Sequence, residues 1–147
     1  MGRGAAVLLT IAVGGLIGIQ APINSQLGKK VGTFQGALVS FGIGTLLLLL
    51  VAGVASGGLG RVGEARHLSW YYLTGGVLGA AYVSSVLVTV RTLGAGGVTA
   101  ATIAGQLTAA VVVDQLGLFN LPRQPVTALR VVGIVLLAAG VWLVVRE

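Results

Sequence analysis

The 147 residues contain no cysteine, a single histidine and only three acidic side chains. Without cysteine there can be no disulfide, no thiolate metal ligand and no cysteine nucleophile. The lone histidine, His67, lies in a polar stretch, which leaves no buried histidine cluster for a metal. Charge of either sign is scarce. Asp, Glu, Lys and Arg make up 8% of the chain, against about 25% in an ordinary soluble domain, and a water-soluble globule could not cover itself with so few. Enzyme constellations are missing too: no pair of carboxylates inside the apolar runs, no histidine beside a serine nucleophile, no glycine loop with the lysine and hydroxyl of a phosphate cradle. The chain is therefore expected to be no enzyme and to need neither cofactor nor metal.

What it does have is apolar surface. Hydrophobic residues account for 56% of the chain, and the mean hydropathy is +1.02. Its 25 glycines would each cost a soluble helix about 1 kcal/mol relative to alanine, whereas membrane helices use glycine for close packing. A membrane-spanning helix needs roughly 20 apolar residues. Charges and turn residues cut the chain into five such runs, at about 5–28, 32–55, 68–90, 94–116 and 126–145. The breaks fall at Lys29-Lys30, the glycine-rich 56–67 segment, Arg91-Thr92 and 117–125. None leaves room for a soluble domain, so residues 1–147 read as one five-helix transmembrane domain. Barrel strands are excluded because 45–55, TLLLLLVAGVA, lacks their alternation of apolar and polar residues. Arg3 ahead of the first run imitates a signal peptide, but the run is too long and Pro22 follows Ala21, so it reads as a retained helix. The expected fold is an all-α integral membrane protein.

The formal charge of +6 comes from cations scattered between the runs, without a patch or stripe suited to nucleic acid. With five crossings the termini lie on opposite sides. Arg3, Arg61, Arg66, Arg123 and Arg130 then share one side, and Lys29, Lys30, Arg91 and Arg146 the other. Lys and Arg in short loops set orientation, so five against four instructs it weakly. Inverted repeats place a transporter's substrate site at their interface, and a chain able to insert both ways can form that arrangement as an antiparallel homodimer of ten helices. A monomer or parallel oligomer of one topology is the alternative. Glycine ladders at Gly14 and Gly18, at Gly36, Ser40 and Gly44, and at Gly75 and Gly79 serve close packing, within the chain or between copies.

Polar groups inside a span are costly and so point to function. Gln20 and Asn24, four residues apart, share one face of the first helix, and Pro22 between them deprives the Gly18 carbonyl of its partner. A kinked helix end carrying two amides suits a substrate site, although Asn24 and Gln26 could equally lie in the headgroup layer. In the fourth run Thr99, Thr102 and Gln106 fall on one face. Tyr82, near Ser84 and Ser85, is a cavity-lining candidate. Asp114, the one acid inside a predicted span, is expected to pair with Arg123 or Arg130, with ion coupling as the alternative. Trp70, Tyr71, Tyr72 and Trp142 read as interfacial aromatics.

Several segments in order carry a resemblance: Gly18-x-Gln20 with Asn24, Leu27 and Gly28; Phe41-x-x-Gly44; Trp70 with Gly75-Gly76-x-x-Gly79-Ala80; Gly105-Gln106-Leu107 with Asp114 and Gly117; Arg130-x-x-Gly133; and Gly140-Val141. Together they resemble the YdcZ-like family, the five-helix, single-repeat branch of the drug/metabolite transporter superfamily. The resemblance implies a multi-pass transporter of the bacterial inner (plasma) membrane, its first four helices around the site and the fifth holding a dimer. Small multidrug exporters carry a glutamate in the first helix, where this chain has Gln20 and Asn24. That departure favours a neutral, amphipathic or lipid-like substrate over a cationic drug. The expected function is secondary transport by alternating access, with Gln20, Asn24, Gln106, Tyr82 and Thr102 at the site. A passive channel on the same dimer and a non-transporting assembly subunit are the alternatives.

Overall fold

A computed structural model describes residues 2–55 and 58–146. Within them the order is α1 (Arg3–Val31), α2 (Thr33–Ala55), two 3-10 segments (Gly60–His67 and Trp70–Leu73), α3 (Thr74–Leu116), a 3-10 turn (Leu118–Asn120) and α4 (Ala128–Val145). Four of these helices are long and apolar enough to cross a membrane. The 43 residues of α3 would extend about 65 Å at 1.5 Å per residue, twice the hydrocarbon thickness of about 30 Å. Gly94, at φ 68° and ψ 170°, breaks α3 into two segments, 74–93 and 95–116.

Helix ends differ from the predicted ones for local reasons. Lys29 and Lys30 do not break the first helix but form its last turn, where cations meet the negative end of the helix dipole. The interruption is the single residue Gly32, at φ 99°, a conformation open to glycine and strained for other residues. Its N–H donates to the Gly28 carbonyl at 3.0 Å, and its own carbonyl accepts from Gly36 at 2.8 Å. The break expected at Arg91-Thr92 falls at Gly94. Leu68 and Ser69 are not helical, and α3 begins only at Thr74, whose hydroxyl donates to the Tyr71 carbonyl at 2.7 Å. At the start of α4, Thr127 caps the helix by accepting the Arg130 N–H at 3.3 Å. α1 runs on through Pro22, whose ring gives the Gly18 carbonyl no N–H. Ser56 and Gly57 of the expected glycine-rich loop lie outside the described residues.

The chain divides into two compact units, 1–91 and 92–147. In the first, α1 and α2 form an antiparallel hairpin about Gly32. Gly28 and Gly36, four residues to either side, meet backbone to backbone: a Cβ on Gly36 would lie 2.9 Å from the Gly28 Cα. Leu87 of α3 fills the hollow the two glycines leave, 0% exposed. Gly14, Gly44 and Gly75 belong to the predicted ladders too, yet a Cβ on any of them would meet nothing within 4 Å among the described residues. In the second unit the 95–116 segment packs against α4, with Gly97 beside Val145 and Val98 buried. Large apolar side chains elsewhere stand outward, Leu8 at 70% exposure, Leu46 at 68% and Leu129 at 84%. On helices of this length that surface is covered by acyl chains.

Candidate functional site

The face of α1 that carries Gln20, Asn24 and Gly28 at four-residue spacing turns toward α2 and α3. At its lower end glycine contact closes the packing, and Ser25 ties α1 to α3 by donating its hydroxyl to the Leu87 carbonyl at 3.3 Å. One turn up, Asn24 is buried at 6% exposure. No hydrogen bond holds its carboxamide, and among the described residues no side-chain nitrogen or oxygen is sealed off without a partner. The amide therefore keeps a part of that exposure.

One more turn along, the hairpin opens. Gln20, twelve residues before Gly32, and Gly44, twelve after it, border a cavity of about 240 Å³. Ser40, Phe41, Thr45 and Leu48 of α2 and Val83 of α3 complete its wall. Three four-residue steps, Ser40 to Gly44 to Leu48 and Phe41 to Thr45, bring one face of α2 to the space. The Phe41 ring leans on Gly79, where a Cβ would sit 3.5 Å away, so the missing side chain on α3 sets the aromatic wall. The cavity offers one carboxamide, two hydroxyls and an otherwise apolar surface, and no ionisable side chain lines it. Such a wall can bind by hydrogen bonds and apolar contact, and gives a charged ligand no counter-ion.

The other predicted residues fall elsewhere. Tyr82 is half-buried next to Val83, which takes the wall position. Ser85 donates its hydroxyl to the Ala81 carbonyl at 2.8 Å, as Thr89 does to Ser85 and Thr108 to Ala104. Hydroxyls satisfied on their own helix need no ligand. Thr102, half-buried, and Gln106, exposed, belong to the second unit.

Asp114 is also there, within a polar lattice that closes the turn into α4. Its carboxylate pairs with the Arg130 guanidinium at 3.3 Å, both side chains 32% exposed. Arg130 also donates to the Gln124 side chain at 2.6 Å. The Asp114 carbonyl accepts from Gln124 N–H at 2.9 Å, and the Gln115 carboxamide accepts from Val126 N–H at 2.7 Å. Of the two arginines considered for Asp114, Arg130 pairs with it, and Arg123 donates to the Leu116 carbonyl at 3.3 Å.

Sequence reasoning missed Ser40, Thr45 and Val83. The one available signal was that Ser40 and Thr45 are polar within the apolar second run, on the face that also carries Gly44.

A family model described as "Putative inner membrane exporter, YdcZ" matches residues 5–143. No curated protein and no solved structure matches the chain.

Proposed function

The chain belongs to the YdcZ family of inner membrane exporters, and from that premise we propose that it is a small secondary transporter working by alternating access on a neutral, amphipathic or lipid-like molecule. It is a multi-pass protein of the inner membrane, with several apolar helices of membrane length. The uncharged cavity beside Gln20 carries the substrate reading. One carboxamide and two hydroxyls among apolar walls match a ligand with a few hydrogen-bonding groups and no net charge. Asn24 extends this surface one turn deeper. Gln106 and Thr102 share one face of the 95–116 segment with Thr99, a polar stripe of the second unit. Asp114 is a structural residue, since its charge is engaged by Arg130.

In this reading α3 crosses the membrane twice, once on either side of Gly94, and the single domain makes five crossings. Near-balanced cations then permit both orientations, and two copies assemble antiparallel with their cavities facing. The open glycine stripes at Gly14, Gly44 and Gly75 support close approach of a second copy. Because the protein has no native cysteine, one cysteine added at each terminus and labelled from outside intact cells tests this. Both termini should label, and labelling of one alone would leave a single topology.

Substrate class is tested by thermal-shift screening of purified protein against neutral amphipaths, lipids and organic cations. Stabilisation by uncharged compounds, lost in Gln20→Ala, is expected. Stabilisation by cations alone would contradict the reading.

A further inference from the structure

The second unit carries a groove that the transport reading does not use. A cavity of about 380 Å³ is bounded by Leu93, Ala101, Ala138, Val141 and Trp142, with Arg146 just beyond the end of α4. Its hollow has a cause in the sequence, because the small side chains of Ala101 and Ala138 stand on its wall. The wall is apolar except where Trp142 and Arg146 meet. The Arg146 guanidinium carbon stands 4.2 Å from the centre of the Trp142 ring, a cation held on an aromatic face. Among the described residues the geometry pairs no acidic side chain with it, Asp114 being engaged by Arg130; Glu147 lies outside the described residues.

An apolar groove ending at a cation held on a tryptophan complements an amphiphile of opposite charge. We propose that this groove binds one anionic phospholipid of the surrounding bilayer, its acyl chain along Ala101 and Ala138 and its headgroup phosphate at Arg146. Charge complementarity selects this occupant. A zwitterionic lipid offers Arg146 a phosphate already balanced by its own cation, and a second copy of the chain would have to bring an acid, of which this sequence has three. A cation near the headgroup layer favours an anionic lipid by a factor of about five.

Trp142 is itself the reporter. The chain has two tryptophans, so Trp70→Phe leaves one signal, from the groove. The protein is reconstituted in phosphatidylcholine bilayers doped with brominated phosphatidylglycerol or brominated phosphatidylcholine, whose bromines quench tryptophan on contact. Half-quenching is expected at about fivefold less brominated phosphatidylglycerol than brominated phosphatidylcholine. Arg146→Gln should abolish the difference and Arg146→Lys retain it. Ala138→Leu, which fills the groove, should weaken quenching by both lipids, and soluble glycerol phosphate should leave it unchanged. Equal quenching by the two lipids, a preference that survives Arg146→Gln, or a Trp142 that neither lipid reaches because a second copy covers it would each overturn the proposal. Quenching needs no substrate, so this outcome is independent of the transport reading.

Discussion

The two helical hairpins of this chain turn by opposite means. Between α1 and α2 a single residue, Gly32, makes the turn, and Gly28 and Gly36 let the backbones touch around a buried Leu87. Between α3 and α4 the turn is long and polar, held by Asp114, Arg130, Gln124 and Gln115. One turn is closed by missing side chains, the other by side-chain hydrogen bonds. A dry glycine seam has no slack for an added atom, whereas a half-exposed lattice can replace lost bonds with water. The uncharged cavity lies on the glycine-built hairpin, so its shape depends on van der Waals contact.

The contrast is broken most severely at Leu87. Leu87→Ala empties the hollow between the glycines and should lower unfolding free energy in mixed micelles by about 2–5 kcal/mol. A loss below that range would mean the seam is not the core of the hairpin. Gly36→Ala comes next, at about 1–3 kcal/mol, because its Cβ would strike the Gly28 backbone at 2.9 Å. Gly28→Ala should cost less, since its Cβ meets a Leu87 methyl group that can turn aside. The reverse order in the same assay would refute the packing described. Arg130→Ala, in the polar turn, should cost only about 1 kcal/mol, because the pair with Asp114 is a third exposed. In the monomer Gly14→Ala should change stability by about 0.5 kcal/mol or less, or raise it slightly through helix propensity; a large loss there would show that this stripe is packed within the chain.

How much of this was legible in the sequence follows the same division. Long apolar runs reveal membrane helices because few charges interrupt them, and Gln20 stood out as an amide within such a run. Helix ends were less legible, because charged residues mark the water interface and not the end of hydrogen bonding. Lys29 and Lys30 stay helical, and Gly32 and Gly94 make the breaks through positive φ. The pairing of Asp114 was readable as a charge needing a partner on the same side. Ser40, Thr45 and Val83 could not be placed, since a cavity wall depends on which faces of three helices meet, and the glycine contacts that settle it join residues far apart in sequence.

The central reading, a carrier with an uncharged site at Gln20, is tested most directly by counterflow in proteoliposomes. Vesicles are preloaded with a neutral amphipath that stabilises the purified protein, and uptake of the labelled compound is followed for wild type and Gln20→Ala. Saturable, exchange-accelerated uptake that falls at least about tenfold in the variant, the loss of roughly 1.4 kcal/mol of recognition, is expected. Uptake that rises linearly with concentration, or that Gln20→Ala leaves unchanged, would contradict it.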